Sequence, residues 1–227
     1  MPYRLETFGT LALLGPSGGT VLGSNGHHRR RLALLAVLAA AGDRGRTRDQ
    51  LLALFWPEAS ERRARHSLDQ LLYALRSTID ESVFASRDPV RLDPAVIASD
   101  VGAFEAALER GDLASAAALY RGPFLDGFHL GDAPEIERWL DGERSRLEHR
   151  YGRALTRLAE RAAAADDHVA AVGWRRRLVD VDPLSAEHAL ALIRALRDAG
   201  DIESALRYAE RYEAIVAEEL ARASPLE

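Results

Sequence analysis

The 227-residue chain contains no cysteine, and all 30 of its Lys/Arg residues are arginine. The first absence excludes disulfides and thiolate metal sites, and fits a cytosolic chain. The second makes every permanent side-chain cation a guanidinium, which suits phosphate and guanine. A bias this uniform is nevertheless what a GC-rich genome produces. No stretch approaches 18 uncharged apolar residues, so no membrane span is expected. The start, Met1-Pro2-Tyr3-Arg4-Leu5-Glu6, lacks a basic segment followed by a long apolar run, so no signal peptide is expected either. A cytoplasmic location follows as the expectation.

Enzyme chemistry is also poorly represented. Gly15-Pro16-Ser17-Gly18-Gly19 lacks the Gly-Lys-Ser/Thr of a phosphate loop. No histidine pair has metal spacing within a helix, and no Ser/His/Asp set has supporting context. Asp180, Asp182 and Pro183 read as a helix-ending turn rather than an acid pair. No catalytic residue, cofactor or metal is expected.

What is present is ordinary in bulk and uneven in distribution. Hydrophobic residues make up 47% and charged residues 29%, as in soluble globular proteins, and the length allows one large domain or two small ones. The net charge of −5 hides an asymmetry. Residues 1–97 carry 13 Arg against 10 Asp and Glu, whereas residues 98–227 carry 17 against 25. A mildly basic head on an acidic body implies different partners for the two parts.

The first 25 residues read as short strands, Tyr3–Phe8, Leu11–Leu14 and Thr20–Leu22, broken by Gly-Thr and Gly-Pro-Ser-Gly-Gly. A helix from about Arg29 to Ala41 is apolar nearly all round, which marks it as the buried centre of a small domain, and Gly42 stops it. Thr47 and Gln50 form a capping-box pattern for a second helix, ended by Pro57 after Trp56. Ser60 offers an N-cap for a third helix reaching about Ile79.

That third helix carries the most information. Ala64, Leu68, Leu71, Leu72, Leu75 and Ile79 share one face at helical spacing. The opposite face holds Arg62, His66, Asp69, Gln70, Tyr73 and Ser77, with Arg63, Arg65 and Arg76 flanking. Val83-Phe84-Ala85 and Val90-Arg91-Leu92, separated by Ser86-Arg87-Asp88-Pro89, then suggest a β-hairpin. From Asp100 onward the pattern is helical, with candidates near 101–110, 113–121, 134–165, 168–181, 186–199 and 202–222. Asp166 and Gly200, Ala171 and Ala205, and Leu178 and Tyr212 each differ by 34 positions, the period of a tetratricopeptide (TPR) repeat. Pro183 falls where that repeat places its closing proline. Gly111, Ala116 and Tyr120 repeat the internal spacing one unit earlier, displaced by the loop at 122–133.

The fold expected is mainly α with a small β component. A winged helix-turn-helix domain over residues 1–97 is followed by an all-α, TPR-like domain over 98–227. This order resembles the Streptomyces antibiotic regulatory protein (SARP) family, in which an OmpR-type winged helix precedes a bacterial transcriptional activator domain. The resemblance covers nearly the whole chain. Arg30–Ala36 looks like the family's first helix, Thr47–Pro57 its second, and Ala64–Arg76 its recognition helix. Ser99-Asp100-Val101 with Phe104, Tyr120–Phe128, and Trp139 with Glu143, Arg144 and Leu147 resemble the activator domain. One departure lies in the wing, where Asp88-Pro89-Val90-Arg91-Leu92 replaces the family's Gly-Tyr. The chain stops at Glu227, soon after the second in-phase repeat, as a fragment or a minimal member would; larger relatives append ATPase or sensory domains.

The resemblance implies a sequence-specific, DNA-binding transcription activator. The third helix would enter the major groove, with Arg62, His66, Asp69, Gln70 and Tyr73 meeting base edges. Asp69 either accepts from cytosine or holds a neighbouring Arg. Arg48, Arg63, Arg65, Arg76, Arg87 and Arg91 are the phosphate candidates, and Arg48 sits where helix N–H groups also attract anions. The run His27-His28-Arg29-Arg30-Arg31 is either a backbone contact or a solvated helix start. RNA polymerase would meet the loop Pro57-Glu58-Ala59-Ser60, with Trp56 a core anchor rather than a contact. A head-to-tail dimer on direct repeats is likewise implied by the resemblance. The helical half would offer a groove to a peptide, helix or second protomer, with Trp139, Trp174, Tyr208 and Tyr212 in its core. The competing reading is a non-enzymatic adaptor whose winged helix binds protein instead of DNA.

Overall fold

Why the first domain forms is clearest from α1 (Arg29–Ala41), because nine of its thirteen residues are buried. Leu32, Leu34, Leu35, Val37 and Leu38 are at most 1% exposed. At about 1.5–3 kcal/mol for each fully buried large aliphatic side chain, this helix is the chief apolar investment of the domain. Gly42, at φ +55°, turns the chain into a 3-10 turn, Gly42–Arg44. The computed structural model describes residues 2–23, 28–131 and 133–223. Of the basic run before α1, His27 lies outside them.

The strands β1 (Tyr3–Glu6), β2 (Ala12–Leu14), β3 (Thr20–Gly23) and β6 (Ile97–Ser99) form one sheet in the order β3-β2-β1-β6. β1 pairs antiparallel with β2 and parallel with β6, with Leu5 opposite Leu13 and Ser99. Sequence periodicity missed β6, because three residues give no alternation to read. The hairpin is β4 (Phe84–Arg87) with β5 (Val90–Leu92), so its turn is only Asp88-Pro89, tighter than the four-residue gap the sequence suggested. Arg46 and Val90 add a third rung through N–H···O bonds of 3.1 and 2.8 Å.

Between sheet and hairpin lie α2 (Arg48–Phe55) and α3 (Glu61–Thr78). The Thr47–Gln50 capping box forms in both directions at the start of α2. Ser60 occupies the N-cap position of α3, but its side chain makes no capping bond. Ala64, Leu68, Leu72 and Leu75 are the buried stripe of α3.

The helices α4 (Asp100–Glu109), α5 (Leu113–Leu119), α6 (Pro134–Ala164), α7 (His168–Val181), α8 (Ala186–Asp198) and α9 (Ile202–Ala223) follow. The chain divides into two compact units, residues 1–147 and 148–227. The first continues past the winged helix because the start of α4 is bonded into the sheet. Thr7 N–H donates to both Asp100 carboxylate oxygens at 2.9 Å, Phe8 N–H donates at 3.0 Å, and the Thr7 hydroxyl at 2.5 Å. Phe8, Phe104 and Tyr120 stack over this junction. Arg144 then donates to the carbonyls of Phe124, Leu125 and Phe128, which fixes the loop before α6. Glu143 and Glu105 clamp Arg146, and the Glu143 bond is the larger reason its pKa is raised further.

The internal repeat has a common backbone device. Gly111, Asp166 and Gly200 have φ of +72°, +56° and +78°. Each is followed by an aspartate whose N–H closes a six-residue turn at 2.9 Å, on Ala107, Ala162 and Leu196. Each aspartate then caps the next helix, Asp112 on Ser115 N–H, Asp167 on Ala170 N–H and Asp201 on Ser204 N–H. The recurrence thus marks one chemical solution to stopping a helix and starting another. In the second unit Val172, Val179, Leu192, Leu196 and Ala205 form a core cluster, with Tyr208 packed at its edge.

Candidate nucleic-acid interface

The exposed side of α3 follows from its buried side. Leucines every three or four residues hold that stripe inward, so the residues between them face out. Arg62, Arg63, Arg65, His66, Asp69, Gln70 and Tyr73 are all exposed, Tyr73 to 70%. The side chains of Arg62, Arg63, His66, Gln70 and Tyr73 make no hydrogen bond or ion pair among the described residues. Arg65 pairs with Glu61 one turn back at 2.6 Å.

Asp69 differs from its neighbours. Its carboxylate forms an ion pair with Arg48, across from the start of α2. Of the two roles foreseen for Asp69, accepting from cytosine or holding a neighbouring arginine, this pair bears on the second. Arg48 N–H donates to Asp88 Oδ1 at 3.3 Å, so α2, α3 and the wing tip meet here. The Arg76 guanidinium lies 5.2 Å from the centre of the Phe84 ring and ties α3 to β4. Together Arg48, Asp69, Arg76, Ser86 and Arg87 line a cleft of about 200 Å³ beside the α3 face. Arg87 is exposed and makes no ion pair among the described residues. Three guanidiniums against one carboxylate leave this cleft suited to an anion.

Arg91, the remaining phosphate candidate, is not part of the cleft. It is half-buried, its Nη1 donates to the Asp43 carbonyl at 3.5 Å, and its stem lies against Gly45. Trp56 is half-buried, stacked 5.6 Å from Phe55, with the Arg30 guanidinium 5.8 Å from its ring. The adjoining loop, Pro57–Ser60, is exposed. Sequence reasoning missed Ser86 and the Asp88 acceptor. The signal was an acidic residue at a hairpin tip, legible only with α2 known to lie beside it.

No helix among the described residues is long and apolar enough to cross a membrane. No curated protein sequence matches the chain. Among solved structures, it is similar to Mycobacterium tuberculosis EmbR in complex with low affinity phosphopeptide. That likeness has a TM-score of 0.62 at 21% sequence identity, over 99% of this chain and 66% of that one. The chain therefore spans about two thirds of that protein's length, and the likeness shows the shared fold. Residues 93–225, more than half of the chain, match the family described as bacterial transcriptional activator domain. A SARP-type transcriptional regulator of this kind belongs to a family that is generally non-enzymatic. With its strands, three helices and hairpin preceding that match, the chain belongs to the bacterial transcriptional activator domain family, in its SARP-type arrangement.

Proposed function

We propose that this regulator binds double-stranded DNA sequence-specifically, with α3 in the major groove. The observation that carries the reading is the unpaired polar face of Arg62, His66, Gln70 and Tyr73. Spaced over twelve residues, they span about 16 Å along the helix, and a major groove admits one such helix. Arg pairs with guanine O6 and N7, and Gln with adenine N6 and N7. Asp69 acts through Arg48 rather than as the first reader of a base. Arg48, Arg76 and Arg87 hold the sugar-phosphate backbone beside α3, while Arg63, Arg65 and Arg91 contribute outside that cleft. These contacts position the protein without specifying sequence.

DNA contact is thereby assigned to residues 1–97 and regulation to 98–227; a family match beginning at residue 93 supports that division. The exposed Pro57–Ser60 loop is the proposed contact for RNA polymerase, and two copies would sit head to tail on direct repeats. Activation of promoters, in the cytoplasm, completes the reading.

The test is a gel shift of the full chain on pooled random duplexes over a range of salt. Binding should weaken with salt, and Arg87→Ala should lower the salt slope by about 1 without changing which sequences are enriched. An intact, folded chain that ignores duplex at low salt returns the protein to the adaptor reading.

A further inference from the structure

A second cationic cleft, of about 340 Å³, lies wholly in the second unit. Helices α7 and α9 both pack on α8. Arg176 and Asp180 sit one turn apart on α7, Arg207 and Arg211 one turn apart on α9, and Leu192 and Leu196 of α8 form the floor. Both leucines belong to the core cluster and are only 2% exposed, so the cleft reaches down to the unit's apolar interior.

The charge here runs against its surroundings. Residues 148–227 carry 12 Arg against 15 Asp and Glu, yet three of those arginines converge on one cleft with a single carboxylate. Arg207 is occupied, with Glu203 and Ser204 as partners. Arg176, Arg211 and Asp180 make no ion pair among the described residues. The Tyr208 hydroxyl at the wall makes no hydrogen bond among the described residues, and burial raises its pKa. A solvated helix face spreads its charges and pairs them at i,i+4, as Arg207 does with Glu203. Arg176, Asp180 and Arg211 line the same hollow without such a pair among the described residues.

We infer that this cleft binds an acidic peptide segment in which a carboxylate neighbours an aliphatic side chain. The carboxylate meets Arg176 and Arg211, the aliphatic group settles over Leu192 and Leu196, and a peptide N–H donates to Asp180. A wholly apolar segment would leave the guanidiniums without an anion. A basic one would meet Arg176 and Arg211, guanidiniums with no ion pair among the described residues. Grooves formed by stacked helical repeats are suited to extended segments of this kind. The site is independent of the DNA-facing residues, so a regulator could be loaded with a partner while its α3 remains available.

The probe is an acetylated Glu-Leu-Glu-Leu amide, titrated into the full chain by calorimetry at low and high salt. The matched peptide has Gln in place of each Glu. Saturable, salt-sensitive binding of the acidic peptide is expected. It should weaken roughly tenfold in Arg176→Gln and in Arg211→Gln, the loss expected for one charge-assisted hydrogen bond. Arg197→Gln, outside the cleft, should bind as the parent does, and circular dichroism with thermal melting checks that each variant folds. Equal binding of the Gln peptide, equal binding by the two cleft variants, or no binding by the folded parent each overturns the inference. Binding of free glutarate with none of the peptide overturns the peptide as occupant. DNA binding should be unchanged in both variants, which keeps this result separate from that of the proposed function.

Discussion

Replacing Asp100 by alanine should destabilise the first unit more than any surface change in the chain. The carboxylate is 8% exposed and Thr7 is fully buried. Truncation orphans the Thr7 and Phe8 N–H groups and the Thr7 hydroxyl, all of which now end on Asp100. A buried donor left without a partner costs about 1–3 kcal/mol, so three give about 3–6 kcal/mol after partial relaxation. Domains are stable by about 5–15 kcal/mol, so much of the margin would go. Arg121, 3.7 Å from the carboxylate and more than half exposed, contributes little to this sum. The assay is amide hydrogen exchange with denaturant unfolding of the full chain, since two compact units need not unfold together. Protection should fall for residues 3–8 and 97–104 and stay unchanged in α8 and α9. Thr7→Val, which removes only the hydroxyl, should cost about 1 kcal/mol. If Asp100→Ala loses less than about 1 kcal/mol, or the loss spreads evenly over both units, the junction is not held as described.

Four further outcomes follow from particular backbone and capping positions. Gly45→Ala would bring a Cβ to 2.5 Å from the Val90 carbonyl oxygen at φ +62°, and should destabilise the α2–hairpin junction by about 2 kcal/mol or more, measured by thermal unfolding. Asp166→Gly should be neutral or stabilising by up to about 1 kcal/mol, because it relieves a left-handed non-glycine residue. Gly200→Val, at φ +78° with open space around the new Cβ, should cost about 1–2 kcal/mol through backbone strain alone. The Ser204 hydroxyl and N–H lower the Asp201 pKa below its ordinary 3.8, so this cap is fully present above that value and is lost as pH falls through the lower folded value. Asp201→Asn should flatten the acid limb of α9 stability monitored by circular dichroism below pH about 4.

Much of the architecture was legible because local signals agreed with burial. The all-round apolar run of Arg29–Ala41, the Thr47–Gln50 box and the leucine stripe of Glu61–Thr78 each state their structure within a dozen residues. The 34-residue spacing between Asp166 and Gly200 pointed to the same turn that both adopt, and Gly111 shares it. The wing turn looked longer because Ser86 and Arg87, polar residues read as part of the gap, extend β4, and β6 was hidden because pairing with β1 across 90 residues leaves no local trace. The same reason concealed the Asp100 network and the Arg48–Asp69 pair. A lone aspartate in a sequence does not reveal which distant N–H or guanidinium it faces. The exposed face of α3 could be read from periodicity. That Arg91 lies outside the arginine cleft required the hairpin in three dimensions.

The most direct test of the account is sequence selection from random duplex by the full chain and by Gln70→Ala and Arg62→Ala. The parent should enrich a defined motif. Each variant should lose discrimination at one position, by about 1–3 kcal/mol, while binding the remaining positions normally. Identical motifs from parent and variants, with affinity unchanged, would contradict the placement of the outer face of α3 against base edges.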